Sequence, residues 1–172
     1  MLRLAKVFWD IALWRRTPEQ LPASVFLLCL VAAASALLEV IEALLPPPAS
    51  SGEILTRVVL RLALPLAFAW LVLAAARQRP RFLQTGTALL GVAVIADFVI
   101  CPLVLLSNSI GVDRPLALPV SVLSMAALIW YLLACANIWR AALNARLGLG
   151  AAISLGYLVL TLALDQQLLP NP

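Results

Sequence analysis

The feature that most constrains this chain is a long apolar run, from Arg81 to Leu106, that carries an acid well inside it. The run reads RFLQTGTALLGVAVIADFVICPLVLL, and Asp97 is its one charged residue after Arg81. An apolar helix of about 25 residues spans a bilayer at roughly 1.5 Å per residue. An acid near the middle of such a helix costs roughly 2.5–3.5 kcal/mol unless it is paired, protonated or exposed to water. The run therefore predicts a transmembrane helix whose acid needs a partner.

Other apolar runs repeat this pattern along the chain. Of the 172 residues, 64% are hydrophobic and 12% are charged, whereas roughly 25% are charged in a soluble domain. The mean hydropathy is +1.05. The runs predict spans at about 21–45, 54–76, 82–106, 116–139 and 148–169. The predicted fold class is all-α: a polytopic membrane bundle in which residues 17–172 form one domain of five transmembrane helices.

The first 16 residues are predicted to form an amphipathic helix in the membrane interface. Arg3, Lys6 and Asp10 fall on one narrow stripe at helical spacing, and apolar residues cover the rest of the helix. Trp9 and Trp14 suit headgroup depth. The alternative is a short cytoplasmic helix packed on the loops of the bundle.

Charged residues of the first three spans are predicted to meet. Glu39 and Glu42 lie three residues apart near the far end of the first span, and Arg57 and Arg61 lie one turn apart at the same end of the second. A pair of ion pairs between adjacent antiparallel helices is the simplest account. Asp97 is then a deeper acid within reach of Arg61.

Two accounts of Asp97 stay open. As a structural residue it pairs with Arg61 or caps carbonyl groups near Pro102; as a functional residue it titrates or binds a cation. Pro65, Pro102 and Pro119 lie in the corresponding halves of three spans, where each is predicted to leave a carbonyl without its donor and to bend its helix.

Most basic residues lie on one side of the predicted membrane. That side holds Arg3, Lys6, Arg15, Arg16, Arg77, Arg79, Arg81, Arg140 and Arg146, which is 9 of the 12 Lys and Arg residues. The positive-inside rule then predicts a cytoplasmic N-terminus and a periplasmic C-terminus. The arginines among them, from Arg15 onward, form a predicted inner basic belt that attracts anionic lipid headgroups at roughly 1 kcal/mol each; the alternative is that they only fix orientation. The basic residues flank spans, so nucleic-acid binding is not predicted.

A row of small residues marks the last span. Gly148, Ala152 and Gly156 recur every four residues, a spacing that lets another helix approach closely. This predicted helix-contact face fits packing within the chain or contact with a second copy.

The sequence offers little for catalysis or cofactors. It contains no histidine, which removes histidine-ligated haem, imidazole metal sites and a Ser-His-Asp triad. Cys29, Cys101 and Cys135 lie inside predicted spans without CxxC spacing, so neither a metal site nor a disulfide framework is predicted. The chain has no GxSxG motif either. We therefore predict a protein that is not an enzyme and holds no cofactor.

Two segments resemble a known family. The run FLQTGTALLG (Phe82–Gly91) and the segment WRAAL (Trp139–Leu143), together with five closely spaced spans, are similar to the bacterial branch of the Yip1-like membrane proteins. The resemblance implies a bacterial inner membrane and no catalytic residues. The trafficking partners of the eukaryotic members do not carry over, because the chain lacks their soluble N-terminal region.

Three functions from different classes can be considered for this chain. The first is a structural or accessory subunit of an inner-membrane assembly, with another membrane protein or a second copy as partner. The alternative is a small transporter or channel-like protein in which the polar cluster around Asp97 lines an outward cavity. A lipid-modifying enzyme is disfavoured, since Asp97 alone cannot supply both an acid and a base.

Overall fold

The computed structural model describes residues 2–45, 50–109 and 116–168, and their regular structure is helical throughout. The helices are α1 (Leu2–Ala12), α2 (Val25–Ala43), α3 (Ser51–Ala75), α4 (Phe82–Ser109), α5 (Ala117–Leu143) and α6 (Leu147–Leu168). Short 3-10 helices at Pro18–Gln20 and Arg79–Arg81 precede α2 and α4. Helices α2 to α6 are each long and apolar enough to cross a membrane. The predicted helical bundle with five candidate spans is therefore confirmed.

Capping residues determine where α2 and α3 begin. Both starts differ by a few residues from those predicted from the apolar runs. Ser24 caps α2 by accepting a hydrogen bond from the amide of Leu27 (3.4 Å), so α2 begins at Val25, after the predicted start of the span at about residue 21. Ser50 and Glu53 form a capping box: the Ser50 amide donates to Glu53 Oε2 (2.8 Å) and the Glu53 amide donates to Ser50 Oγ. Helix α3 therefore starts at Ser51, ahead of the apolar run.

Three helices end in a left-handed residue that is not glycine. Trp14, Arg77 and Asn144 have φ values of 62°, 57° and 50°. At Asn144 the amide of the next residue donates to the carbonyl of Arg140 (3.0 Å), the long-range bond of a Schellman motif. This cap ends α5 at Leu143, beyond the predicted end at 139.

Short connections make neighbouring helices antiparallel. Helices α2, α4 and α6 begin at one end of the bundle, where α3 and α5 finish. We call it the basic end, because it carries the segments 77–81 and 140–146. Helix α4 is central: it packs against α1, α2, α3 and α5, and every residue from Thr85 to Val92 is buried.

Helix α1 packs on the bundle near the basic end. Phe8 lies against Gly91 of α4, where an added Cβ would meet the phenyl ring at 2.4 Å. The indole nitrogen of Trp130 in α5 donates to the carbonyl of Ala12 (3.1 Å). Ile11 is fully buried, whereas Lys6 is exposed. Helix α1 therefore packs against α4 and α5, and its place in the membrane interface stays a prediction.

Two of the three predicted helix irregularities lie inside helices. Pro65 in α3 and Pro102 in α4 have no N–H to donate to the carbonyl four residues earlier, which for Pro65 is that of Arg61. Pro119 is the third residue of α5, in the first turn, where helical donors have no partner in any case. The predicted interruption of α5 by Pro119 is therefore wrong.

The close approach of α5 and α6 gives a testable prediction. A Cβ at Gly150 would lie 2.2 Å from the Ala136 carbonyl oxygen, which cannot rotate away, whereas a Cβ at Gly148 meets nothing within 4 Å. We expect Gly150→Ala to lower the free energy of unfolding by about 1–3 kcal/mol. Gly148→Ala, the matched control, should be neutral or stabilising by about 0.5–1 kcal/mol. Thermal unfolding in detergent, followed by circular dichroism, measures both; equal effects would contradict the contact.

Candidate functional site

Arg61 of α3 joins three helices in the half of the bundle away from the basic end. Its Nη1 lies 2.9 Å from Glu39 Oε2, and its Nε donates to the hydroxyl of Ser35 (3.1 Å). Its Nη2 forms an ion pair with Asp97 of α4. Ser35 and Glu39 are four residues apart on α2 and therefore share one face. The guanidinium group thus fixes α2 and α4 against α3.

Glu42 also faces this guanidinium group, at 3.9 Å from Nη1. One cation therefore serves three carboxylates. The sequence predicted two ion pairs between α2 and α3, one for each arginine. Arg57 instead has no acidic partner within 4 Å among the described residues, and its buried Nε lacks a hydrogen-bond acceptor there. The structure thus brings the five predicted residues to one region, but Arg61 and not Arg57 forms the ion pairs.

A cavity of about 340 Å³ opens beside this cluster. It is bounded by α3, α4, α5 and α6, with Glu39 contributed by α2. Its polar end is lined by Glu39, Arg57, Arg61, Asp97 and Asp165, and its opposite end by Phe68, Tyr131, Cys135, Trp139, Ser154 and Tyr157. A volume of this size lies within the range of small-molecule sites.

Aromatic rings close the cavity toward the basic end. The ring centroids of Phe68 and Tyr157 are 5.3 Å apart, and those of Phe68 and Trp139 are 5.9 Å apart with nearly perpendicular planes. Edge-to-face packing of this kind is favourable. Helices α3 and α6 therefore meet through Phe68 and Tyr157, and the cavity lies between this layer and the Arg61 cluster.

Sequence reasoning missed Asp165 as a site residue. It lies in the last turn of α6, lines the polar end of the cavity, and belongs to none of the ion pairs between described residues. The signal was present, because Asp165 is the one acid within the fifth predicted span. Like Asp97, it is an acid inside an apolar span and needs a partner or water.

The arginines of the predicted basic belt lie at the basic end, and Arg81 differs from the others. Its Nη1 donates to the carbonyl of Ala141 (2.7 Å) in the last turn of α5 and lies 3.0 Å from Glu19 Oε1. Arg81 therefore ties the start of α4 to the end of α5 and to the segment before α2. The remaining members of the belt are exposed: Arg15, Arg16, Arg77, Arg79, Arg140 and Arg146.

The small-residue row of α6 faces out of the bundle. Gly148, Ala152 and Gly156 are all exposed, and a Cβ at either glycine would meet nothing within 4 Å. Gly150 and Ser154 instead form the buried face of α6. Packing within the described part of the chain therefore does not cover this row, and its contact with another chain stays a prediction.

Comparisons with known proteins identify no relative of this chain: no protein-family model, curated protein or solved structure matches it. The resemblance to Yip1-like proteins therefore stays a prediction.

Removal of the central cation tests the Arg61 cluster. We expect Arg61→Gln to lower the free energy of unfolding by about 3–5 kcal/mol, because it leaves partly buried carboxylates without their cation. The control Arg57→Gln should cost less than about 1 kcal/mol, since Arg57 makes no ion pair with a described residue. Thermal unfolding in detergent compares them, and an equal loss in the control would contradict the assignment.

The role of Arg81 is tested in the same way. Hydrogen bonds from a charged group contribute about 1.5–3 kcal/mol, so Arg81→Gln should lower stability by that amount. The control Arg79→Gln removes an exposed guanidinium group that lies 5.8 Å from the Trp70 ring, a contact of about 0.5–1 kcal/mol. Chemical denaturation in mixed micelles measures both losses of stability. Similar losses for the two variants would mean that Arg81 does not hold α4 to α5 and to the segment before α2.

Proposed function

We propose that this chain is a non-enzymatic multi-pass membrane protein that binds a small solute within the bundle, as a small transporter or channel-like protein. The observation that carries the proposal is the cavity of about 340 Å³ between α3 and α6, with charged groups at one end and aromatic rings at the other. Ionisable residues inside membrane bundles commonly mark solute or ion pathways. The proposal gives the polar cluster around Asp97 a role in binding as well as in packing.

The helices around the cavity also suit a transport role. Pro65 lies on the cavity wall one turn after Arg61, and the Arg61 carbonyl lacks its usual helical donor. Interrupted helices at substrate sites are a recurring feature of transporters. Under this proposal a solute passes the layer of Phe68, Trp139 and Tyr157 when α3 and α6 move apart.

A second candidate function, an accessory subunit of a membrane assembly, is favoured by the exposed row of Gly148, Ala152 and Gly156. Small residues at this spacing permit close helix contact, and α6 leaves the row uncovered. The partner would be another membrane protein or a second copy of this chain.

The finer placement of the chain belongs to the same proposal. We propose a bacterial inner membrane, with the basic end and the N-terminus cytoplasmic and the C-terminus periplasmic. Helix α1 would then lie at the cytoplasmic interface, where Trp9 and Trp14 are exposed. The basic belt would contact anionic headgroups, and the Yip1-like resemblance fits this setting.

Cysteine accessibility tests the proposed solute pathway. Leu158 lines the cavity and is partly exposed, whereas its neighbour Val159 is exposed on the outside of the bundle. The two residues are adjacent on α6 and therefore have similar depth. In Cys29→Ala/Cys101→Ala/Cys135→Ala protein we expect Leu158→Cys to react with iodoacetamide in membranes, because thiolate formation requires water.

The matched control carries Val159→Cys in the same background. Its thiol faces lipid and should not react in membranes, while both proteins should react fully after denaturation. If neither thiol reacts before denaturation, the cavity is dry, and the accessory-subunit function is the better explanation.

A further inference from the structure

The polar end of the cavity carries more negative than positive charge. The carboxylates that line it come from Glu39, Asp97 and Asp165, and the guanidinium groups come from Arg57 and Arg61. Three carboxylates against two guanidinium groups leave an excess of one negative charge when all are ionised, and Glu42, which lies 3.9 Å from Arg61 outside the cavity lining, adds a second. Charge of one sign inside an apolar bundle is costly, so this end of the cavity favours a ligand with positive charge.

The excess negative charge comes from the carboxylates that surround Arg61. This residue is shared by Glu39, Glu42 and Asp97, and Glu42 Oε1 is buried without a hydrogen-bond partner among the described residues. Arg57 and Asp165 line the same end of the cavity and offset each other in charge. The guanidinium group of Arg57 therefore does not give the site a preference for an anionic ligand.

The walls select for an apolar body on the ligand. The rings of Phe68, Tyr131, Trp139 and Tyr157 line the cavity, and an aromatic face attracts a cation by about 0.5–2 kcal/mol. Over the described residues, no group of three or more His, Cys, Asp or Glu side chains is arranged to hold a metal ion. The cavity is also far larger than an inorganic ion needs. An organic cation matches both the charge and the walls.

Ser154 supplies an independent polar contact. It is 2% exposed and lines the cavity, and its buried hydroxyl has no hydrogen-bond partner within the described part of the chain. A buried hydroxyl left unpaired costs about 1–3 kcal/mol. Ser154 is therefore available to a polar substituent of a molecule that enters the cavity.

We infer that the cavity binds an organic cation whose charged head lies among the carboxylates and whose apolar body lies against the aromatic rings. Arg57 and Phe68 lie at the two ends, eleven residues apart on α3, or about 16 Å at 1.5 Å per residue. An elongated molecule of phenylethyl size therefore fits. The inference rests on the proposed function and names its substrate class.

Three probes with one body and different heads test the charge preference. They are phenethylammonium (a cation), phenylalanine (a zwitterion) and 3-phenylpropanoate (an anion). Calorimetric titration of the purified full-length chain in detergent should give the tightest binding for phenethylammonium. Tighter binding of phenylalanine or 3-phenylpropanoate would overturn the inference.

Charge variants of the site test the preference for a cation independently. Asp165→Asn removes a negative charge from the site and should weaken phenethylammonium binding about fivefold, whereas Arg57→Gln removes a positive charge and should strengthen it about fivefold. Neither residue makes an ion pair with a described residue, so both variants should fold. Gln166→Ala, exposed and adjacent to Asp165, is the control and should bind unchanged. Weaker binding in Arg57→Gln would overturn the inference.

The labelling of Leu158→Cys separates the two possible failures. If this thiol reacts in membranes but no probe binds, the organic-cation inference is wrong and the solute pathway stands. If the thiol does not react, the solute pathway fails, and the inference fails with it.

Discussion

The bundle depends on one guanidinium group held among carboxylates from two other helices. Arg61 joins α3 to Glu39 on α2 and to Asp97 on α4. On a water-exposed surface such pairs contribute little, but between apolar helices a separated charge is expensive. These three helices therefore cannot shift along one another without exposing a carboxylate to lipid. The same restraint fixes the position of the cavity beside them.

The parts of this fold that could be predicted from the sequence are those set by local composition. The length of each apolar run defines a span, so five spans follow directly from the sequence. Acids and arginines placed at the same end of neighbouring spans also indicated the charged cluster. The helix ends were less accurate, because Ser50 and Asn144 cap α3 and α5 outside the apolar runs that located them.

The orientation of each helix about its own axis could not be predicted, because nearly every face of these spans is apolar. Helix α6 has small residues on two faces, and in the structure it is Gly150, not Gly148, that contacts α5. The same rotation of α6 about its axis places Asp165 in the cavity lining. The contact between Arg81 and the Ala141 carbonyl joins positions sixty residues apart, and no local pattern indicates such a pairing.

The order of the charges along the chain has a consequence for insertion into the bilayer. Glu39 and Glu42 on α2 are balanced by Arg57 and Arg61 on the next helix, while Glu53 caps the start of α3; apart from this capping residue, the two helices form a hairpin with no net charge in the polar half. Such a hairpin can enter lipid as a unit at a lower cost than either helix alone. Asp97 follows on α4 and finds its counter-charge in Arg61, on a helix already present. Insertion of the third span therefore costs less once the first two helices are in the membrane.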